Sequence, residues 1–364
     1  MKAYLAYGIA RWYANFLEVL LLPPSEPDQT TRVHDEIWRA GDLAEVDMSW
    51  LGVARDWAEE RGIYVSEQAL AQRHVGPSSK IKFAEKIDVL VSEGHHRHEN
   101  GLLRHHLCTR ELPAGTILRI DEHTLVSSPE LLLIQLATVL DDVDLLLCAY
   151  ELCGSYAKLP EGLVGRKGYG FVNRAPVTTV ERCLDVANST SLDGTKRTRR
   201  VLKSTRNDSA SLMETSTAIL LGSDTKSGGF GLGEFAMNAP VRLSEEGARI
   251  VGCDELRGDI VYADPRWAMG LASKKGVIIE YLGKGDHFDP VLGKDQAACD
   301  NRRRRAFEAS GWVVICITAK EFESLRDMTS IATRIATTLG LVVDYTDEAQ
   351  MAKRRELHRR LLEA

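Results

Sequence analysis

The chain lacks a surplus of positive charge, a zinc-ligand pair of cysteines and any apolar run long enough to span a bilayer. Each absence removes a class of function. With 46 Lys and Arg against 52 Asp and Glu, the net charge is −6. A uniformly basic, histone-like coat for nucleic acid is excluded, and any such contact must come from local basic patches. The seven cysteines (Cys108, Cys148, Cys153, Cys183, Cys253, Cys299 and Cys316) are scattered, and no two have zinc-knuckle spacing. Buried free thiols in a reducing cytoplasm are the expected state. The apolar N-terminus is interrupted by Arg11 and Glu18 before Pro23-Pro24, which fits an amphipathic helix and neither a signal peptide nor a membrane span. The glycine-rich Gly228-Gly229-Phe230-Gly231-Leu232-Gly233 has no clear strand before it and no Lys-Ser/Thr after it. It reads as a flexible loop, not a phosphate loop.

At 364 residues the chain is long for one core, and two or three domains are expected. Residues 1–75 carry more acids than bases and read as helices separated by Pro23-Pro24-Ser25 and Gly62-Ile63, with Trp38, Trp50 and Trp57 in a small core. No chemistry is assigned to them. From 76 to 110 the chain is polar, with His95-His96-Arg97-His98 and His105-His106. No cysteine or carboxylate cluster lies nearby, so a solvated loop is expected over a metal site. A strand-like run follows from Leu112 to Ile120. Ser128, Pro129 and Glu130 then supply an N-cap, a first helical residue and a first-turn acid for an apolar helix ending near Asp141-Asp142, and a similar opener recurs at 176–182. In Lys196–Arg206, the residues Lys196, Arg199, Arg200 and Lys203 follow helical spacing and make one cationic face. Either a solvated surface helix or a phosphate-contacting face fits. A basic helix is expected over 346–364.

Acids concentrate in the last third. Ser211 and Glu214 open a helix with capping-box spacing. Two apolar strands follow, Gly258–Ala263 and Val277–Leu282, joined by a loop centred near Gly270. Paired antiparallel around that loop, they set Asp259 opposite Glu280 or Tyr281, sharing a face. Asp264 then falls opposite Gly276, about 13 Å along the strand from Glu280. Asp264-Pro265 also reads as a turn opener, which leaves Asp264 as the reserve ligand. Paired carboxylates on neighbouring strands suit a hard divalent cation over a phosphodiester. The connecting loop carries Arg266, Trp267, Lys274 and Lys275, residue types that contact a nucleic-acid backbone or stack on a base. Lys284 lies four residues beyond Glu280, and Gly283 and Gly285 leave its face open. Asp300–Ala306, with Arg302 and Arg303, enters a helix ending at Ser310-Gly311, and Trp312–Thr318 reads as a strand buried on both faces.

Helix, strand, strand, helix and strand, with acids from the first three, resemble the PD-(D/E)XK nuclease superfamily. The nearest branch is similar to endonuclease-like proteins related to very-short-patch repair, often fused behind an antitoxin-like winged-helix region. The resemblance covers 105–325 and is most specific at the helix bearing Glu214, at Ile279-Glu280-Tyr281…His287, and at Asp300…Arg303…Gly311-Trp312-Val313-Val314.

The resemblance implies an α/β chain with a restriction-endonuclease-like domain over 206–345, a central mixed sheet flanked by helices. Before it would lie a winged-helix-like, mainly helical middle (76–205), and the helical region 1–75 lies outside the resemblance. It further implies Asp259 and Glu280 as principal Mg2+ or Mn2+ ligands, Glu214 as a third positioning acid and His287 as a proton relay. Where such nucleases place a lysine two residues after the acid, this chain has Leu282, so Lys284, Lys274 or Lys275 would have to supply the cation. The expected partner is DNA, which Lys196, Arg199, Arg200, Lys203, Lys274, Lys275, Arg302 and Arg303 would contact. The alternative is a non-catalytic, DNA-binding regulator of the type IV antitoxin kind, with a toxin or a second copy as partner.

Overall fold

A computed structural model of the chain divides between Thr205 and Arg206 into two units. It describes residues 3–5, 26–27, 64–65, 87–92, 94, 103–119, 124–158, 163–164, 171–282, 288–289 and 294–364. His95–His98, Lys284, His287 and the tryptophans of the first 75 residues lie outside the described residues.

The first unit contains strands β1 (Ala3–Leu5), β2 (Glu26–Pro27), β3 (Tyr64–Val65), β4 (Ile87–Val91), β5 (Leu103–Leu107), β6 (Ile117–Arg119), β7 (Thr124–Ser127), β8 (Tyr156–Lys158), β9 (Leu163–Val164) and β10 (Phe171–Asn173). Six of them form one sheet in the order β2-β6-β7-β1-β4-β5. Where helices are expected over 1–75, the described positions 3–5, 26–27 and 64–65 are strands. β1 pairs in parallel with β7 and antiparallel with β4, so the first residues complete a sheet built from 87–127. A three-residue strand whose backbone groups are satisfied from both sides has no periodicity to read. His105 and His106 lie in β5, where His106 Nε2 meets Asp88 Oδ1 at 2.6 Å; they are strand residues, not a loop.

The helices of this unit are α1 (Pro129–Leu136), α2 (Asp142–Cys153), α3 (Val180–Ser189) and α4 (Thr195–Leu202). α1 is buried along its length, with Glu130 and Gln135 among its leucines and isoleucine. Ser128 Oγ accepts the Leu131 N–H at 3.4 Å. The helix stops at Leu136, short of the expected end, because Asp141 caps α2 instead, taking the N–H groups of Val143 and Asp144 at 2.9 and 3.1 Å.

The second unit runs α5 (Leu212–Gly222), β11 (Ala236–Arg242), α6 (Glu245–Val251), β12 (Glu255–Ala263), α7 (Pro265–Ala268), β13 (Gly276–Leu282), β14 (Phe288–Asp289), β15 (Lys294–Asp295), α8 (Gln296–Ala309), β16 (Val313–Thr318), α9 (Ala319–Glu323), α10 (Leu325–Thr338) and α11 (Glu348–Glu363). Four strands make a mixed sheet in the order β11-β12-β13-β16. Its first three strands are antiparallel, and β16 is parallel to β13 across the α8 connection. Ala306 and Phe307 of α8 pack with Val241, Val261, Ile278 and Val314 on one face. Ile260, Tyr262, Val277 and Ile279 are buried on the other.

β11 is not legible as a strand in its residues. Asn238 sits at φ 44°, and Pro240 lacks a ladder donor, which an edge strand tolerates. β16 is the opposite edge; Val314, Ile315 and Ile317 are buried and Val313, Cys316 and Thr318 half-buried, so both of its faces are covered at its centre. The glycine-rich segment is a packing surface. A Cβ at Gly228 would lie 2.6 Å from the Lys353 carbonyl of α11, and one at Gly229 would collide with that of Ser223. Among the described residues no helix is long and apolar enough to cross a membrane, and all seven cysteines are free thiols.

Candidate active site

The β12–β13 register pairs Ile260 with Ile279, Val261 with Ile278, Tyr262 with Val277 and Ala263 with Gly276. Continued one step, it sets Asp259 opposite Glu280. Residues alternate faces along a strand, so both carboxylates share the α8 face with Val261 and Ile278. At this step side chains replace the backbone ladder. The Asp259 N–H donates to Glu280 Oε1 at 3.4 Å, and the Tyr281 N–H donates to Asp259 Oδ2 at 2.8 Å. Each acid is thereby held by the backbone of the other strand.

Arg303, from the middle of α8, closes the site. Its Nε and Nη2 lie 3.1 and 2.9 Å from Glu280 Oε2, and Nη2 also donates to the Arg257 carbonyl at 2.7 Å. The sequence assigns Arg303 to nucleic acid; the structure spends its charge on Glu280. A carboxylate only 9 % exposed among apolar neighbours needs such a partner.

Glu214 stands in the first turn of α5. Ser211 Oγ accepts the Glu214 N–H at 3.1 Å, as a cap should, but the Glu214 carboxylate does not complete the expected reciprocal box. Oε2 accepts from the Ala210 N–H at 3.0 Å and from Asn238 Nδ2 at 2.7 Å, and Oε1 from Ser211 Oγ at 3.1 Å. On β11, Asn238 falls between Met237, which pairs with Ile260, and Ala239, which pairs with Gly258, and so stands beside Asp259. It also donates to the Asp208 carbonyl at 2.8 Å, and its own carbonyl accepts from Arg257 at 2.8 Å. Sequence reasoning misses Asn238, because a residue with a left-handed backbone inside a weak strand leaves no pattern.

The electrostatics are those of crowded acids. Burial, then the negative charge of Glu280 and of Glu214, push the Asp259 carboxyl up to about 8, against opposition from the Tyr281 N–H and Arg303. Burial likewise raises Glu280, with Arg303 pulling the other way. Burial raises Glu214 despite its three hydrogen bonds.

Of the expected ligands Asp259, Glu280 and Glu214, the first two stand side by side. Among the described residues no group of three or more His, Cys, Asp and Glu side chains is gathered as metal ligands. Glu214 is committed to Ala210, Ser211 and Asn238. Asp259 and Glu280 remain as a pair, with Asp259 Oδ1 accepting no hydrogen bond from the described residues and Glu280 Oε1 only the long one from Asp259. Two carboxylates fit Mg2+, which is commonly held by one or two of them together with substrate phosphates and water.

Other assignments move. Asp264, the reserve ligand, is buried and bound to Arg266 at 2.7 Å, and it caps α7 by accepting the Arg266 N–H at 2.9 Å. Lys274 and Lys275 lie at the Gly276 end of the hairpin, away from Asp259 and Glu280. Lys275 Nζ sits 5.2 Å from the Trp267 ring centroid, and its backbone N–H donates to the Gly311 carbonyl. The basic–aromatic loop therefore does not flank the acid pair, because the strands run antiparallel between them. Leu282 pairs with Thr318 at the end of β13. Arg302 is exposed, 3.6 Å from Cys299 Sγ. In the first unit, Lys196, Arg199, Arg200 and Lys203 line one surface depression. No family model matches this chain, and no curated protein or solved structure matches it either.

Proposed function

We propose that the Arg206–Ala364 unit is a metal-dependent DNA endonuclease of the PD-(D/E)XK type, with a restriction-endonuclease-like domain. The observation that carries this reading is the Asp259–Glu280 pair: two acids on adjacent strands, each held by the other's backbone, both raised by burial and Asp259 also by the negative charge of Glu280. Such crowding of like charge is costly without a cation. The sequence of helix, strands, helix and strand supports it, since the same order delivers Arg303 from α8 to the pair.

Asp259 and Glu280 would hold Mg2+ or Mn2+, which when bound supplies charge stabilisation and a more acidic water. Tyr281 N–H keeps Asp259 oriented toward the site, and Arg303 opposes the burial that raises Glu280. Glu214 and Asn238 brace the neighbouring edge. Leu282 offers no cation, and Arg303, the positive group at this site, is bound to Glu280.

The test is cleavage of supercoiled plasmid and of mismatched duplex in Mg2+, Mn2+ or EDTA. Wild-type protein should cleave only with the metals, and Asp259→Asn and Glu280→Gln should each lose about 100-fold or more while staying folded. Cleavage unchanged in both variants, or undiminished in EDTA, overturns the assignment.

A second reading is favoured by the same arginine. Arg303 already neutralises Glu280, and with Leu282 at the usual lysine position the domain would serve as a non-catalytic scaffold of a DNA-binding, antitoxin-like regulator. It requires metal-independent DNA binding with no cleavage under any of these conditions.

A further inference from the structure

We propose that α4 carries a phosphate-docking groove for a nucleic-acid strand, in the first unit and independent of both the acid pair and the nuclease reading. Lys196, Arg199, Arg200 and Lys203 stand at i, i+3, i+4 and i+7, one face of a helix, and together they line an open depression of about 400 Å³. The opposite face is committed to the interior, with Thr195, Thr198, Val201 and Leu202 all buried. The helix thus cannot turn its cations away from solvent without unpacking its apolar side.

Asp142 faces this row, and it is shared between Arg200 at 2.7 Å and Arg197 at 2.5 Å. Arg199 Nη1 donates to the Ala187 carbonyl at 3.0 Å, a bond that fixes the guanidinium without cancelling its charge. Lys196 and Lys203 are exposed.

Dimensions and chemistry select the ligand. Seven residues of helix place Lys196 and Lys203 about 10 Å apart along the axis, too long for a single phosphate and suited to consecutive phosphates of one strand. A membrane-surface helix would present leucine, phenylalanine or tryptophan beside its cations. Here Val201 and Leu202 are inside the protein. The groove therefore matches a polyanionic backbone read through charge, without base contacts.

The full chain is titrated against a fluorescein-labelled 20-base-pair duplex in EDTA, by anisotropy, from 50 to 200 mM salt. The charge-matched control is Lys320→Ala with Arg326→Ala, both exposed residues of the second unit. Lys196→Ala with Lys203→Ala should weaken binding about tenfold or more at 50 mM salt and reduce the slope of log K against log salt by about two, near 0.9 for each phosphate no longer neutralised. The control should leave both unchanged. Unaltered affinity and slope in the double variant overturn the proposal, as does an equal weakening in the control. Absence of duplex binding, or binding only to phosphatidylserine vesicles, overturns it as well. Because metal is absent throughout, a failure here leaves the cleavage assay untouched, and the reverse holds.

Discussion

Arg303 Nη2 lies 2.9 Å from Glu280 Oε2 and 2.7 Å from the Arg257 carbonyl, so one guanidinium joins α8 to two neighbouring strands. It brings positive charge to a carboxylate whose burial raises its proton affinity. Arg303→Ala should destabilise the protein by about 1–3 kcal/mol, the range for a charged hydrogen bond removed from a sheltered site. Urea denaturation reads this directly. Adding Glu280→Gln should recover part of that cost, because the stranded charge is then removed. Strict additivity of the two substitutions would argue that the pair is not coupled.

Stability should fall as pH rises from about 4 to about 8. Asp259 titrates near 8 in the folded protein against an ordinary 3.8, so the folded state holds more protons across that window and each added pH unit favours unfolding. Glu214 and Glu280 are shifted the same way. The contribution is fully present below the ordinary value and gone above about 8. Asp259→Asn should flatten the slope of the urea midpoint between pH 5 and 8 and raise the midpoint at pH 8. A slope of the opposite sign would exclude a protonated Asp259.

Mg2+ and protons compete for the same oxygens. Mg2+ should therefore raise the melting temperature more at pH 8 than at pH 6, and Asp259→Asn and Glu280→Gln should each remove the effect. Differential scanning fluorimetry with Mg2+, Mn2+ and EDTA provides the measurement. An increment independent of pH, or retained in both variants, would place the cation elsewhere.

Asn238 combines a left-handed backbone with a side chain bridging Asp208 and Glu214. Asn238→Gly relaxes the backbone and forfeits only the side-chain bonds, whereas Asn238→Ala forfeits those bonds and adds strain. Alanine should cost about 1 kcal/mol more than glycine, as read from urea midpoints. Equal costs would show that the backbone at this position shifts freely.

What the residues reveal on their own follows from local symmetry. The Asp259–Glu280 pairing can be deduced from two apolar strands about a loop centre, and the caps at Ser128 and Ser211 from hydroxyl residues ahead of helices. Interactions made by packing leave no such trace. Arg303 meets Glu280 across 23 positions only because α8 lies over β13. Asp264 reads as a reserve ligand or a turn opener until Arg266 is seen to reach it. Ala3–Leu5 has too few residues to show a period, and β11 contains Asn238 and Pro240, which oppose strand formation on their own.

Arg354, on α11, stacks 4.5 Å from the Phe230 ring centroid and 4.9 Å from that of Tyr345, and its Nη2 donates to the Gly229 carbonyl 125 positions earlier. Tyr345 Oη donates to the Phe230 carbonyl, and His358 Nε2 lies 2.6 Å from the Phe322 carbonyl. The consequence is kinetic. A pairing that spans so much chain closes slowly, and α11 can dock only once the Gly228–Gly233 surface exists to receive it. Docking of α11 is then a late step of folding and its release an early step of unfolding, so proteolysis should nick the 340–347 segment before it reaches the sheet that holds the acids.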